Sequence, residues 1–485
     1  MWKFIALGGA ICDGKPSIGG SCLLLHNDKF GIVIDAGFYP QSQKAFEQKE
    51  NGTQPIQFKI IGNQQLPILP KLRRLSDADF VPESSENNLP NFSILKTLEE
   101  IMVIVTHGHG DHSGAVPRLK RMFPNAKIVM TRATYEISQW GWHDYLHIMW
   151  KKKQSPIYGR FDLQELGRDI SLVETTGRIS FKDCEITLFP AGHILGAVSV
   201  LVKTPETSIF FSSDICFQNQ RTTKGAPLLD ASITGNLDYL VTESTYGGIA
   251  SVKSRQTIEK EFTEALKSCL NSGGKVLLPA LAIGRSAELF SILDHCGLEE
   301  KWPVWIDGSA CQLINIYISH GQLSPFVREN YIQYKSERNE IINSSNPCVV
   351  IAPAGMLAGG FAQTYLKAWA RDEKNLIALS CYQDRFTPGY RLLRTLRGEK
   401  IELNRAPRDE HGLNRENIVT VNAEVKQFSL SSHAKGDELV DMVNRMNPRR
   451  GTFLVHGEEE RMDAFCAALP NRLMVKTIAN KAYDL

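Results

Sequence analysis

The sequence predicts an α/β protein in which one layered domain is interrupted by a second α/β domain. Strand-like apolar runs alternate with helical stretches along most of the chain. Runs that end in a His, Asp or Glu occur before residue 250 and again after residue 425. A chain that resumes an early pattern near its end is typical of a domain with an insertion. We therefore assign 1–247 and 426–485 to the first domain and 248–425 to the inserted one.

Length and composition are those of an ordinary globular protein. The chain has 485 residues, 42% of them hydrophobic and 22% charged, which is enough for two or three domains with sizeable cores. A net charge of +2 gives no global basic field, although it leaves room for a local basic groove. No Cys-x-x-Cys pair, signal peptide or membrane-length apolar run is present. These features predict a cytoplasmic protein with reduced thiols and no membrane segment.

The most specific motif is the stretch 106–112, Thr-His-Gly-His-Gly-Asp-His, which follows an apolar run predicted as a buried strand. Alternation places His107 and His109 on the same side of the chain, and the intervening glycines let the backbone aim Asp111 and His112 at the same point. Imidazole and carboxylate ligands suit zinc and its first-row neighbours. The stretch therefore predicts a metal site, and the plain alternative is a polar loop that is rich in histidine.

Other predicted strands end in the same way. Near the end of the chain, 425–434 and 451–458 are predicted as strands that end in histidine. A single acid such as Asp35 is as readily a simple turn residue. A succession of such tips instead predicts that the side chains converge on one edge of a sheet. The residues at these tips are Asp35, His193, Asp214, Glu243, His433 and His456.

From about residue 251 the pattern changes to a regular alternation of helices and continuous apolar strands. Such runs are typical of a parallel, doubly wound sheet. Its glycine turns, at Gly284-Arg285 and at 355–360, offer backbone amides at helix starts, which suits phosphate oxygens. Tight packing explains these glycines nearly as well. The predicted strands are 275–280, 303–307, 348–353 and 375–380.

The ionisable residues form two metal-ligand sets. Two metals about 3.5–4 Å apart can share a hydroxide and clamp a phosphodiester. We expect one ion on His107, His109 and His193, the other on Asp111, His112 and His456, and Asp214 between them. A leaving oxygen also needs a proton, and a histidine oriented by a carboxylate is the usual donor. His433 with Glu243 fits that role.

In these motifs the sequence resembles the β-CASP nucleases of the metallo-β-lactamase fold. This family includes nucleases of mRNA 3′-end processing and ribonuclease J, and the chain is similar to its short bacterial or archaeal type. The resemblance implies a four-layered αβ/βα domain with an inserted β-CASP domain. It also implies hydrolysis of phosphodiester bonds by a hydroxide held between two Zn²⁺, with Mn²⁺ as the alternative metal.

The resemblance also implies roles for individual residues. Asp111, Glu243 and His433 are expected to be catalytic, and Asp35 to lie beside the ligands and not among them. His456 favours RNA over DNA, because the DNA-cleaving branch of the family usually carries valine at this motif. The cap-domain signatures strengthen the expectation of phosphate contact. The phosphate or nucleic-acid contacts expected are Gly284, Arg285, Gly359, Gly360 and Ser432.

The leading hypothesis is therefore a zinc-dependent RNA endonuclease, with 5′-exonuclease activity left open. The alternatives are a DNA nuclease of a repair or defence system and a scaffold subunit whose site has lapsed. We expect the cluster to lie at the floor of a cleft below the inserted domain. The polar stretch 41–91 is predicted as a surface excursion that either mediates homodimer contacts or gates this cleft.

Overall fold

The computed structural model describes residues 1–11, 19–38, 58–61, 64–67, 89–403 and 417–485. Contacts within the chain divide it into two compact units. The first unit includes the segments 67–252 and 432–485 together with the N-terminal strands, and the second unit includes 253–431 together with the described residues 58–61 and 64–66. Most of the second unit, 253–431, is thus an insertion in the sequence of the first.

The segment up to residue 252 supplies most strands of the first unit. Its helices are Gly110–Ser113 (α1), Val116–Met122 (α2), Arg132–Lys151 (α3), Arg160–Asp169 (α4) and Ala231–Thr234 (α5), with a 3-10 helix at Phe92–Thr97. Its strands are Lys3–Gly8 (β1), Cys22–His26 (β2), Phe30–Ile34 (β3), Phe58–Ile61 (β4), Gln64–Pro67 (β5), Glu100–Val105 (β6), Lys127–Thr131 (β7), Ile170–Val173 (β8), Arg178–Phe181 (β9), Cys184–Pro190 (β10), Val198–Lys203 (β11), Ser208–Phe211 (β12) and Tyr239–Glu243 (β13).

The strands β4 and β5 pair with each other in a sheet of their own. They and residues 89–91 are the only described parts of the predicted excursion 41–91. The rest of that prediction lies outside the described residues.

The second unit contains a wholly parallel sheet, in the order β15-β16-β14-β17-β20, and the antiparallel pair β18-β19. The central strands are buried along their whole length, as the continuous apolar runs predict. Its strands are Val276–Pro279 (β14), Val304–Ile306 (β15), Val349–Ala352 (β16), Leu376–Leu379 (β17), Lys400–Glu402 (β18), Ile418–Thr420 (β19) and Glu424–Gln427 (β20). Its helices are Arg255–Asn271 (α6), Arg285–His295 (α7), Ala310–Ser319 (α8), Lys335–Asn343 (α9), Gly360–Trp369 (α10) and Pro388–Leu392 (α11), with a 3-10 helix at Pro325–Asn330.

The last segment completes the two large sheets of the first unit. It consists of Gly436–Met446 (α12), Gly451–Val455 (β21), Glu459–Ala468 (α13), Met474–Lys476 (β22) and Ala482–Asp484 (β23). The described strands form one sheet in the order β23-β1-β2-β3-β6-β7-β8 and another in the order β22-β21-β13-β12-β11-β10-β9. Neither sheet is complete until the chain has returned from the second unit.

The first unit has four layers. Side chains from both sheets share one core, in which Phe4 and Ile104 of the first sheet pack with Phe211 of the second. The outer face of the first sheet packs against helices α2 to α4 through residues such as Leu119 and Leu163. The outer face of the second sheet is covered by α12 and α13. This helix, sheet, sheet, helix arrangement confirms the predicted αβ/βα fold class.

The strand directions place the predicted site residues, which follow strand ends, at corresponding edges of the two sheets. In the first sheet β3 and β6 are parallel neighbours, and in the second β12, β13 and β21 are parallel neighbours. β10 has the same direction as β12, because each pairs antiparallel with β11. The carboxyl ends of these strands are therefore on one side, where the predicted tips follow.

The predicted strand 425–434 is wrong in its extent. β20 ends at Gln427 and belongs to the parallel sheet of the second unit, where it pairs with β17. Residues 428–435 are irregular. The physical reason is that this backbone serves other groups: the carbonyl of Ser432 accepts a hydrogen bond from His193 Nδ1, at 2.9 Å, instead of bonding to a neighbouring strand.

The nine cysteines among the described residues are free thiols, and seven of them are buried. This agrees with the reduced core cysteines that the sequence predicts. Within the described part of the chain, no helix combines the length and the apolar character that crossing a bilayer requires.

Candidate metal centre

The predicted tips of the first unit meet at the carboxyl ends of its strands. Three groups of metal-competent side chains form there, each with ligand atoms within 4.8 Å of one another. Asp214 belongs to the first group and the third. The first group is His107, His109, His193 and Asp214; the second is Asp111, His112 and His456; the third is Asp214, Glu243 and His433.

The first group is centred on His109. Its Nδ1 lies 3.1 Å from His107 Nε2 and 3.1 Å from His193 Nε2. Asp214 Oδ2 lies 3.6 Å from His107 Nε2 and 3.7 Å from His193 Nε2. His107, His193 and Asp214 are buried. One Nδ1 facing two imidazole nitrogens cannot make a good hydrogen bond with both, so the arrangement points three lone pairs at a common space.

The second group adjoins the first through Asp214. His112 Nε2 lies 3.4 Å from Asp214 Oδ2, and His456 Nε2 lies 3.4 Å from Asp111 Oδ2. Burial raises the pKa of Asp111, but the neighbouring histidines more than offset this and lower it below its ordinary value. The carboxylate of Asp214 thus faces imidazoles of both groups.

The second nitrogen of each of these imidazoles also lies near an oxygen atom, and for His456 Nδ1 the nearby oxygens include Asp214 Oδ1, at 3.5 Å. His107 Nδ1 lies 3.2 Å from Thr106 Oγ1, and His456 Nδ1 lies 3.1 Å from Thr245 Oγ1. His193 Nδ1 bonds to a backbone carbonyl, as described above, and His112 Nδ1 to a carboxylate. Fixing one imidazole nitrogen with an oxygen orients the other toward an ion, as in known metal sites.

The buried atoms without partners also fit a metal. His109 Nε2, His112 Nε2 and Asp214 Oδ1 are inaccessible and make no hydrogen bond with any described residue. Leaving such atoms unpaired is unfavourable, and for His112 Nε2 and Asp214 Oδ1 an ion in the cluster would remove the cost. All the donors are imidazole or carboxylate, the set that zinc and manganese accept. The residues present therefore fit bound metal.

Asp35 holds His112 in place. Its Oδ2 lies 2.7 Å from His112 Nδ1 and accepts the Thr106 hydroxyl at 2.8 Å, while Oδ1 accepts the Thr106 amide at 2.7 Å. Burial lowers the pKa of His112, but Asp214 and Asp35 outweigh it and raise the pKa well above its usual value. Asp35 therefore lies beside the predicted ligands, in contact with one of them.

Three residues of the centre adopt backbone angles that L-residues rarely use. Asp35 has φ 66°, Ser213 has φ 54° and His456 has φ 49°. Each follows a strand end, and each turns the chain toward the cluster. Such angles are unfavourable for residues with a Cβ, and they are found preferentially at functional sites. The sequence gives no sign of them.

His433 and Glu243 form a hydrogen-bonded pair next to Asp214. His433 Nδ1 lies 2.8 Å from Glu243 Oε2, and the other carboxylate oxygen accepts the amide of Ile215 at 2.8 Å. His433 Nε2 is 3.9 Å from Asp214 Oδ2. Burial lowers the pKa of His433, but the charges of Glu243 and Asp214 raise it above its ordinary value overall. The imidazole is thus held with Nε2 toward the cluster.

The predicted phosphate contacts fall in two places. Ser432 lies in the first unit, where its carbonyl orients His193. Gly284, Arg285, Gly359 and Gly360 lie in the second unit, so they are not among the residues that form the metal centre. Gly284 has φ 77°, and a Cβ on Gly360 would come within 2.5 Å of the Pro353 carbonyl oxygen. Turn geometry thus explains these two glycines, and phosphate contact stays a prediction.

Two threonines contact residues of the centre in ways that the sequence does not predict. Thr106 connects Asp35, His107 and Ser213 through one hydroxyl, and Thr245 contacts His456 across 211 positions of sequence. Thr106 directly precedes the histidine cluster, which is the only sequence signal for it. Thr245 stands two residues after Glu243 and has no comparable signal.

Replacing Asp35 with asparagine is expected to weaken zinc binding by about 10- to 100-fold. Asparagine tolerates the positive φ of this position, but its amide donates a hydrogen bond to His112 Nδ1 where the carboxylate accepts one, which favours the wrong tautomer. Competition with a chromogenic chelator measures the affinity. Unchanged zinc affinity in a folded variant would show that Asp35 does not orient the ligand.

Comparison with known proteins gives matches over most of the chain. Family models match residues 102–245 as the metallo-β-lactamase superfamily, 287–392 as a β-CASP domain, and 418–477 as a Zn-dependent metallo-hydrolase RNA specificity domain. The transcription termination factor FttA of Lokiarchaeum sp. (strain GC14_75) is 30% identical over 500 residues, covering 97% of this chain and 70% of that protein. The chain belongs to the β-CASP family of metal-dependent ribonucleases. The metallo-β-lactamase fold with a β-CASP insertion, predicted from the motifs, is thereby confirmed.

Further relatives of this β-CASP protein have related descriptions. The "Probable RNase MJ4" of Methanocaldococcus jannaschii is 30% identical over 369 residues, covering 74% of this chain and 81% of that protein. The cleavage and polyadenylation specificity factor subunit 3-II of Arabidopsis thaliana is 28% identical over 400 residues, covering 78% and 62%. A crystal structure of a protein of unknown function from Enterococcus faecalis V583 matches with a TM-score of 0.56 and 14% identity over 100% of both chains. That last likeness concerns the fold alone.

Proposed function

We propose that this β-CASP protein cleaves RNA with two zinc ions, one held by His107, His109 and His193 and the other by Asp111, His112 and His456. Asp214 lies between the two sets as the shared carboxylate. The observation that carries the proposal is the position of Asp214 Oδ2, 3.4 Å from His112 Nε2, 3.6 Å from His107 Nε2 and 3.9 Å from His433 Nε2. One carboxylate therefore faces both ligand sets and the histidine that is suited to donate a proton. Manganese is the alternative metal for the same donors.

Zinc ions bound there would supply a water of lowered pKa and would withdraw charge from the phosphodiester. The side chains then have distinct tasks. Asp111 keeps its negative charge, and its side chain is 31% exposed, so it can orient the attacking water. Asp35, Thr106 and Thr245 hold the imidazoles in position.

His433 is the proposed acid. Attack by water forms one P–O bond while the bond to the leaving ribose oxygen breaks, and that oxygen needs a proton. His433 Nε2 gives its proton to the leaving oxygen, and the proton that the water loses goes to solvent. Glu243 stabilises the protonated imidazole before the transfer and holds its orientation through Nδ1.

RNA is the favoured substrate over DNA. The family model at residues 418–477 is described as an RNA specificity domain. One relative is described as a probable RNase and another as a subunit of a cleavage and polyadenylation factor. His456 lies within this stretch, and the resemblance to the RNA-processing members of the family makes it the residue that favours RNA. A DNA nuclease is the second candidate.

Incubation with 5′-labelled RNA and DNA of one sequence tests the proposal. We expect cleavage of the RNA, loss of cleavage after removal of metal by a chelator, and recovery with zinc or manganese. Product mapping separates endonuclease from 5′-exonuclease action. Preferential cleavage of the DNA strand would reject RNA as the substrate, because the 2′-hydroxyl is the feature that separates the two. Metal analysis that finds less than one zinc per chain, together with no cleavage, would support a lapsed scaffold instead.

A further inference from the structure

A group of aromatic and arginine side chains in the second unit has no part in the metal centre. It consists of Arg385, Phe386, Tyr390 and Arg394, which we call the aromatic platform. Phe386 is 62% exposed, Tyr390 is half-buried, and both arginines are exposed. Phe386 therefore presents apolar ring surface to solvent beside an exposed arginine.

The rings of the platform are accompanied by guanidinium groups. The guanidinium carbon of Arg394 lies 3.4 Å from the ring centroid of Tyr390, and that of Arg385 lies 5.7 Å from the ring centroid of Phe386. Arg394 Nη1 also donates to the carbonyl of Tyr390, at 3.3 Å. Planar cations beside aromatic rings offer flat surfaces and positive charge together.

Hydrogen bonds hold the backbone of the platform in place. Thr387 caps helix α11 by accepting the amide of Tyr390, and Pro388 begins the helix. Arg391 Nη2 donates to the carbonyls of Glu402 and Leu403, at 3.0 and 3.4 Å, which ties α11 to strand β18. Because the backbone is fixed in this way, little entropy is lost when a ligand orders the rings.

The platform lies at the edge of the parallel sheet where ligands bind in doubly wound folds. The loop that follows β17 leads into it. The amide of Gly389 donates to the carbonyl of Met356, at 3.1 Å, and Gln383 Nε2 donates to the carbonyl of Gly355, at 3.1 Å. The platform therefore adjoins the glycine turn that follows β16, at the carboxyl ends of two strands.

Charge in this segment favours an anionic ligand. Residues 384–399 contain four arginines and two acidic residues, in a chain whose whole net charge is only +2. Arg397 pairs with Glu373, while Arg385 and Arg394 lie over the rings. Phosphodiester groups are attracted by such local charge, and nucleobases stack on exposed aromatic rings.

We propose that the aromatic platform binds an unpaired RNA strand, of which a base stacks on Phe386 while its phosphates contact Arg385 and Arg394. The inference rests on the proposed function and specifies the class of substrate. Bases within a duplex already stack on each other and present no free faces to the rings. Single-stranded RNA is therefore the ligand that the platform selects.

The test is the substitution Phe386→Ala in the full chain. Binding is measured by fluorescence anisotropy with labelled single-stranded RNA, in protein that also carries His433→Ala so that the RNA is preserved. We expect the Kd to rise about 5- to 100-fold, as for loss of one stacked base. Phe386→Trp is expected to restore binding. Phe326→Ala is the matched control, because Phe326 is 75% exposed in the same unit but lies outside the platform; it should leave the Kd unchanged.

Cleavage kinetics with His433 intact give the second readout. Phe386→Ala should raise KM for single-stranded RNA and leave kcat unchanged, with little effect on duplex RNA. A Kd within twofold of the unsubstituted protein would overturn the platform and leave the proposed function standing. Equal loss of single-stranded and duplex binding would also overturn it, because stacking would then have no role. If single-stranded RNA binds through Phe386 but no variant cleaves RNA, the proposed function fails and the platform stands.

Discussion

Replacing Asp214 with asparagine is expected to reduce bound zinc and to slow RNA hydrolysis by about a thousandfold. Asparagine preserves the shape of the side chain but removes the one charge that faces His107, His112 and His193 within 3.7 Å. If that charge contributes about 4 kcal/mol through the metals, its loss corresponds to about 10³ in rate. Zinc per chain by mass spectrometry and the single-turnover rate measure the two effects.

Asp238→Asn is the matched control for this experiment. Asp238 is also a buried carboxylate of the first unit, and it accepts hydrogen bonds from the Ser208 amide and from Arg449. It stands at the opposite end of strand β13 from Glu243. Its substitution should leave zinc content and the rate of cleavage unaltered even if the protein is less stable. Two zinc ions per chain in Asp214→Asn would contradict the shared role of Asp214.

Much of the centre is predictable from local sequence because each ligand follows a strand that is itself recognisable. The run before His107 is apolar and continuous, and a ligand after such a run must lie at the edge of a sheet. The same reasoning applies to His193, Asp214 and Glu243. When several such strands run in the same direction, the residues after their carboxyl ends lie at one edge of the sheet. This holds for any order of the strands within the sheet.

What local sequence leaves undetermined is how distant segments complete the centre. The contact between Thr245 and His456 spans 211 residues, and that between His193 and Ser432 spans 239. A hydroxyl or a carbonyl in an irregular segment has no periodic pattern that marks it as a hydrogen-bond partner of an imidazole. The predicted extent of β20 is wrong for the same reason, since the apolar pattern continues past Gln427 while the backbone hydrogen bonds change partners.

The exposure of the aromatic platform is a second feature that the sequence does not determine. Pro388-Gly389, between Phe386 and Tyr390, indicates a turn, but the sequence does not indicate which of the neighbouring side chains are exposed. Only the structure shows that α11 is a short helix of Pro388–Leu392 and that Phe386 precedes it in the exposed loop. Exposure of an aromatic ring depends on which face of an element finds a partner, and that is a property of the tertiary fold.

Replacing His433 with alanine is expected to lower the rate of RNA cleavage by about 10²- to 10⁴-fold while zinc content is unchanged, because this removes a proton donor and no metal ligand. The signature of that role is the response to the leaving group. An RNA with sulfur in place of the leaving oxygen releases a thiolate that needs no proton, so His433→Ala should lose little activity on it. Glu243→Gln should show the same selective loss, and the double variant should be no slower than His433→Ala, because the 2.8 Å pair acts as one unit. Equal losses on the oxygen and the sulfur substrates would assign His433 to substrate binding, since a residue that only positions the phosphate does not distinguish the two leaving groups.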